Sequence, residues 1–485
     1  MTGPAVQGTS LTAGEATVQD RARRALGVEN LWPVRVIDER GPARLSSRIR
    51  LSPRLFRRLT DSLRPVVEAR PDLREVPPRT VLMIRTDEVG DLMMTLPLLT
   101  AMRVAWPQAR VTLVTRGLRG EVMRGGSMVD DVVTWPAKPW RESLAGQLRC
   151  WRFARRLLRR SRPAQGRYDL AVLPRRDAEH FGSRYVAAAA ADRVIAFDPA
   201  DRLGPIGPID QESERDLVSD LVCAGEPLTH VLRQGERLAA ALGVTITPDA
   251  YDAPGLALIG PADHAAARTL LSPLNALATL NPLTSVPAPL VAVMLNSPHA
   301  RGAWPGYAEA VNQVHQRLGI RVVLLGGPDD ELLADDFVRT LNPSVPIVSA
   351  VGRAPLRTTL ALLATSDLYL GGVCDAMHLA CAVATPCVAV TCHPAGGNPA
   401  DDDAPNRIGP WSADSRVVGP ARPASGCQDT CVSDVAHCIT GVGTALVART
   451  VTDVLLGTAS RAVVPSAAQV PQQTRHAEQA GFATA

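Results

Sequence analysis

From residue 80 onward the chain alternates, twice over, between short apolar runs and amphipathic helical stretches. This alternation restricts the fold more than any other feature. In the first series the strand candidates are 80–85, 110–115, 131–134, 169–173 and 193–197, with helical patterns at 91–106, 142–160 and 178–191. In the second the strands are 290–295, 321–325, 347–350, 368–371 and 387–391, and the helices 307–318, 330–341, 356–364, 376–383 and 444–456. Strand–helix alternation of this kind calls for a parallel sheet covered on both faces. Two series of similar size predict an α/β chain with two Rossmann-like, doubly wound domains facing a central cleft. Ligands in such folds bind beyond the carboxyl ends of the strands.

The expected organisation is an N-terminal extension over 1–78, partly disordered because 1–28 are small and polar. A first domain with its Pro- and Gly-rich linker follows over 79–288, then a second over 289–458, then a disordered tail over 459–485. The composition is that of a globular protein: 485 residues, 46% hydrophobic and 21% charged. A net charge of +4 with 4% aromatic residues argues against nucleic acid as a partner. No apolar run approaches the roughly 18–20 residues of a membrane span. The first twenty residues lack the basic start and apolar core of a signal peptide. These features predict a cytoplasmic protein whose nine cysteines are thiols rather than a disulfide framework.

Three turns carry the candidate chemistry. The first joins strand 80–85 to its helix and holds Arg85, Asp87, Gly90 and Asp91. A carboxylate at a helix start either caps backbone N–H groups or serves as a general base, and the spacing leaves both open. The second is Val322–Leu333, where a buried strand ends in Gly326-Gly327 and acids open a helix. Glycines let a ligand approach the backbone, and an acid such as Glu331 can bind ribose hydroxyls; the bland reading is a tight turn with acids serving the helix dipole. The third is Ser366–Val390, in which Gly371-Gly372 precede a small-residue helix with His378 in its first turn. A helix N-terminus at a sheet edge suits a diphosphate. A lone histidine there is otherwise a packing residue. No G-x-G-x-x-G follows either first strand, which disfavours a dehydrogenase.

In their order and spacing these motifs resemble glycosyltransferase family 9, the ADP-heptose:lipopolysaccharide heptosyltransferases and their relatives, over roughly 80–456. The carrying residues are Arg85, Gly90-Asp91, Thr95-Leu96-Pro97-Leu98, Trp106-Pro107, Tyr168-Asp169-Leu170, Phe197-Asp198, Trp304-Pro305, Leu325-Gly326-Gly327-Pro328, Met377-His378-Leu379-Ala380 and Thr385-Pro386. The resemblance implies the GT-B fold and inverting transfer of a heptose-like sugar from a nucleotide-diphosphate donor to a glycan, glycolipid or small-molecule hydroxyl. It implies Asp91 as the catalytic base, with Arg85, Asp87 and Gly90 on the acceptor side. The donor would lie near Ser297, Arg301, Gly326, Gly327, Glu331, Gly372, Asp375, Met377 and His378. No cofactor and no metal are implied, since helix dipoles and basic side chains stabilise the leaving diphosphate. Two departures stand out. The family's Lys before Trp-Pro is Gly302, with Arg301 adjacent. Its Asp-Ser/Thr-Gly-Pro before Met-His is replaced by Val373-Cys374-Asp375-Ala376. They motivate an alternative, a catalytically inactive GT-B-fold binding or scaffold protein.

Three further features were weighed. Cys427, Cys431 and Cys438, spaced C-x3-C-x6-C with His437 adjacent, are read as structural thiols rather than a zinc site. The acidic run 401–403 is read as a solvated loop. The basic helix over 142–160 is read as a covering helix with snorkelling arginines, the alternative being peripheral contact with an anionic membrane or glycolipid surface.

Overall fold

The computed structural model describes residues 53–61, 72–135, 144–161, 163, 166–174, 182–198, 216–223, 230–276, 288–297, 299–401 and 403–457. The tail expected over 459–485 and residues 1–52 lie outside them. Twelve strands form two parallel sheets among the described residues. The first contains β1 (Thr80–Ile84), β2 (Arg110–Arg116), β3 (Asp131–Trp135), β4 (Tyr168–Leu173), β5 (Ala191–Phe197) and β6 (Asp220–Val222), in the order β3-β2-β1-β4-β5-β6. The second contains β7 (Leu290–Met294), β8 (Arg321–Leu325), β9 (Ile347–Ser349), β10 (Leu368–Gly372), β11 (Cys387–Val390) and β12 (Arg416–Val418), in the order β12-β11-β10-β7-β8-β9. The two orders are one pattern. In each sheet the first and fourth strands are neighbours, and the winding reverses between them. That switch point is where open α/β sheets bind ligands.

The strands are apolar throughout because both faces are covered. Side chains of β1 alternate: Val81 and Met83 enter one apolar cluster, Leu82 and Ile84 another. The Val81–Met83 cluster continues into the second domain through Leu290, Ala292 and Met377, so apolar packing joins the two halves. Each domain also uses an acid to close the start of its central strand. Asp169 Oδ2 accepts the backbone N–H groups of Arg79 and Thr80 at 2.7 and 2.8 Å, and Asp367 Oδ2 accepts that of Leu290 at 2.7 Å. The Tyr168-Asp169-Leu170 motif is thus structural.

Several expectations are refined. The helix predicted over 91–106 is two helices, Val89–Met94 and Leu96–Ala105, parted at Thr95. Pro97 has no N–H to continue the first helix but suits the opening of the second. Two edge strands, β6 and β12, were not anticipated; at three residues each they show no readable period. The N-terminal extension holds the helix Pro53–Asp61, which docks through Phe56 onto the Tyr185 ring at 5.0 Å. Arg57 donates to the carbonyls of Asp216 and Val218 at 2.7 and 2.9 Å. Within the linker, the helix Pro261–Ala276 packs on the second domain's helix Leu356–Thr365, pinned by Arg357 to Asp263 at 2.9 Å.

The basic helix spans Leu144–Ser161 and buries Cys150, Phe153, Ala154 and Leu157, with Phe153 edge-on to Trp135 at 5.1 Å. Arg155 lies over the Trp151 ring and Arg160 pairs with Asp131. Among the described residues no helix is long and apolar enough to cross a membrane.

Candidate active site

The chain leaves β1 at Arg85, whose guanidinium is 4% exposed. Burial of that charge demands partners on every side. Nε meets Asp87 at 2.9 Å, Nη2 meets Asp91 Oδ1 at 3.2 Å, and Nη1 donates to the Pro174 carbonyl beyond β4. Arg85 therefore spans the switch point of the first sheet and holds two carboxylates above it. Asp91 Oδ2 also accepts the Glu88 N–H at 3.3 Å, at the long end for such a bond, while its side chain stays 32% exposed. The two readings of Asp91 are therefore compatible. One weak capping bond and one ion pair fix the carboxylate, which stays partly exposed. Glu88 is paired with Arg119 from the turn after β2.

The second-domain half comes from the helix Asp375–Ala382, which follows β10 at the other switch point. Its first turn touches the first domain directly: Gly90 N–H donates to Asp375 Oδ1 at 2.8 Å. Gly90 has to be glycine, since a Cβ there would lie 2.4 Å from His378 Cδ2 and 2.9 Å from Asp375 Oδ1. His378 is buried and stacked on Trp411, with ring centroids 5.5 Å apart and planes inclined by 22°. Burial holds its imidazole down to about 4, against the pull of Asp91, so the ring is neutral at pH 7. Burial also pushes Asp375 up to about 6; the Gly90 N–H opposes this, and the charges of Glu88 and Asp91 add to it. Asp91, Asp375 and His378 thus share one cleft between the two switch points.

The other predicted donor residues divide. Asp330, not Glu331, closes the β8 turn: its Oδ2 accepts the Gly327 N–H at 2.8 Å and its Oδ1 accepts from Asn296 at 2.6 Å. Gly326 is crowded by Asp330 and Val351, whereas Glu331 is exposed at the helix start. The acid that serves the turn and the acid free to meet a ligand are therefore neighbours. Ser297 Oγ lies where a side chain on Gly302 would begin, 2.2 Å from its Cβ position. Arg301 is paired with Asp403, so this acid of the run expected to be a solvated loop balances the cation beside Gly302. Met377 is fully buried in the core and its side chain serves packing, unlike the donor contact expected of it. Of the paired glycines, Gly371 is the crowded one, its Cβ position 2.3 Å from Tyr369 Oη and 3.0 Å from the Met294 carbonyl. At Gly372 nothing approaches closer than 3.8 Å. In the altered loop, the Cys374 thiol is buried under the first-turn amides of Ala376 and Met377 and beside Tyr369 Oη at 3.3 Å.

Sequence reasoning missed Trp411, His230 and Arg119. His230 Nδ1 accepts the Leu232 N–H at 3.2 Å and Nε2 faces the Gly409 carbonyl at 3.0 Å, tying a first-domain helix to the second domain. His230 precedes the helix Val231–Leu242, and Trp411 sits in an irregular loop that carries no pattern.

Two facing doubly wound sheets with a cleft between their switch points define the GT-B frame of glycosyltransferases. In fold the chain is similar to a glycosyltransferase family 9 protein from Veillonella parvula, with a TM-score of 0.57 and 18% identity over 78% of this chain and 97% of that one. It is also similar to E. coli ADP-heptose lps heptosyltransferase II, with a TM-score of 0.54 and 16% identity over 78% and 99%. No curated protein matches the chain in sequence. Residues 250–436 match the model of glycosyltransferase family 9 (heptosyltransferase). The two-domain frame is thus GT-B, and residues 250–436 are similar to a family 9 domain. The matched residues cover most of the second domain and its approach, stopping before the last helix; Asp91 lies outside them.

Proposed function

We propose that the chain is an inverting glycosyltransferase that moves a heptose-like sugar from a nucleotide-diphosphate donor to a hydroxyl of a glycan, glycolipid or small molecule. The observation that carries this reading is Asp91: a partly exposed carboxylate, fixed by buried Arg85, in the same cleft as Asp375 and His378 of the family 9 domain. Asp91 takes the proton of the acceptor hydroxyl as its oxygen attacks the anomeric carbon. The bond from that carbon to the diphosphate oxygen breaks on the opposite face, and the configuration inverts. Arg85 orients the base and does not meet the acceptor. The donor lies along the carboxyl ends of β7, β8 and β10, beside Ser297, Arg301, Gly326, Gly327, Glu331, Gly372 and Asp375. The transfer uses no metal and no cofactor beyond the donor.

The test is a panel of nucleotide-diphosphate sugars, ADP-heptose among them, assayed for release of nucleoside diphosphate with glycan and small-molecule acceptors. Wild type turns over at least one donor, and Asp91→Ala loses about 10²–10⁴-fold in kcat, the range of a general base. Equal turnover by both overturns the assignment.

A second reading, a GT-B-fold binding protein without transfer, is favoured by one observation. Asp375 already occupies the Gly90 amide and the Cys374 thiol covers the helix amides that would meet a diphosphate. Calorimetry with free nucleoside diphosphates, set beside the turnover panel, separates the two: binding with no turnover of any donor favours the second.

A further inference from the structure

Between β12 and the last helix, Thr444–Leu455, the chain runs over residues 419–443 with one short 3₁₀ turn, Cys438–Gly441. A stretch of this length without regular structure is uncommon in a compact domain and needs something to hold it. Its own apolar contribution is small: Cys431, Cys438, Ile439 and Val442 are buried, while Val432 and Val435 are 71% and 63% exposed.

Four polarisable donors gather here. The sulfurs of Cys427, Cys431 and Cys438 and a ring nitrogen of His437 all lie within 4.8 Å of one another. His437 Nδ1 is 3.5 Å from Cys427 Sγ and 3.7 Å from Cys438 Sγ. A tetrahedral ion with bonds of about 2.0–2.3 Å sets its donors roughly 3.5–3.8 Å apart, so two edges of the tetrahedron are already at their bound length. The backbone supplies a second, independent sign. The Ala424 N–H donates to Cys438 Sγ at 3.4 Å, and the amides of Ser433 and Cys438 point at the sulfur of Cys431. Amides aimed at sulfur are the outer hydrogen bonds that orient the ligands of a metal site. Although His437 and Cys438 are adjacent in sequence, His437 reaches both Cys427 and Cys438 sulfurs through Nδ1.

We propose that Cys427, Cys431, His437 and Cys438 form a structural zinc site of the Cys3His type, closed and apart from the transfer chemistry. Three thiolates and one imidazole with no open position are the donor set of structural zinc. The site closes residues 419–443 on themselves beside the loop beyond β11, whose Asn398 N–H donates to the Asp429 carbonyl at 3.0 Å. That loop carries Asp403, the partner of Arg301, so the ion supports the donor side of the cleft without touching substrate.

The test is elemental analysis of the full chain purified under reducing conditions without chelator, with cobalt(II) titration of the metal-stripped protein. Wild type is expected to carry about one zinc per chain, and cobalt to give thiolate charge-transfer and tetrahedral d–d bands. Cys427→Ser and His437→Ala lose most of the zinc, His437→Cys retains it, and Cys223→Ser, an exposed thiol elsewhere, is unaffected. Chelation of wild type lowers its melting temperature, a readout that does not depend on the variants folding. Zinc no higher in wild type than in Cys427→Ser, with no cobalt bands, overturns the proposal. So does a disulfide among these cysteines found by mass spectrometry of the native chain, or iron in place of zinc.

Discussion

Gly90→Ala probes the contact between the two switch points with an outcome whose sign decides the matter. Gly90 lies in the first turn of the helix Val89–Met94. There alanine gains up to about 1 kcal/mol over glycine in helix propensity. Were the space around Gly90 open, the variant would be more stable. The structure puts the new Cβ 2.4 Å from His378 Cδ2, about 1 Å inside ordinary contact, and 2.9 Å from Asp375 Oδ1. His378 has nowhere to retreat, being buried and stacked on Trp411. Overpacking of this kind costs typically about 1–3 kcal/mol, and two rigid neighbours place this site in the upper half. The net expectation is a loss of about 1–2 kcal/mol, or roughly 2–8 °C in melting temperature for a domain of this size. Calorimetry on wild type, Gly90→Ala, His378→Ala and the double variant completes the cycle. His378→Ala should relieve the clash and give a coupling energy of about 1 kcal/mol. A raised melting temperature in Gly90→Ala, or strict additivity in the cycle, refutes the contact.

Two buried groups in the cleft respond to pH in opposite directions. Asp375 titrates near 6 when folded, above its ordinary value of 3.8, so its contribution to stability is lost as pH rises from about 4 to 6. Asp375→Asn should raise the melting temperature at pH 7 and change it little at pH 4. His378 titrates near 4 when folded, below its ordinary 6.5, so its contribution is full above about 6.5 and is lost as pH falls towards 4. The stake is at most roughly 3 kcal/mol, and His378→Gln should flatten that acid limb in a pH series of denaturant melts. The paired glycines should separate: Gly371→Ala costs about 2 kcal/mol or more because its Cβ meets Tyr369 Oη and the Met294 carbonyl, while Gly372→Ala stays within about 0.5 kcal/mol of wild type in denaturant melts.

Long elements with a strong period were legible in the sequence. Tyr307–Leu318 and Arg321–Leu325 fall where the pattern places them, because each buries a regular apolar face on a sheet covered on both sides. Elements fixed by tertiary contact were not. β6 and β12 exist because a neighbouring strand pairs with them. The break at Thr95 was signalled by Pro97 but masked by the apolar pattern running through it. In the site, Gly90-Asp91 was readable as a pair with a purpose, yet the reason for the glycine, a histidine nearly three hundred residues on, is a property of the folded chain alone. Met377 was placed at the donor by the resemblance alone, whereas its side chain is buried in the core. The cysteine cluster is visible in the sequence but reads there as structural thiols, because its spacing matches no short zinc motif; that the four donors gather within 4.8 Å is a property of the fold.

The central claim is that Asp91 acts as a base and not only as a helix cap. Asp91→Asn separates these roles, since the amide oxygen preserves the shape and can still accept the Glu88 N–H while the side chain no longer takes a proton. With a donor identified from the panel, single-turnover kinetics with saturating donor and acceptor should show the chemical step slowed about 10²–10⁴-fold, with donor affinity and melting temperature close to wild type. A chemical step at the wild-type rate in Asp91→Asn would contradict the account.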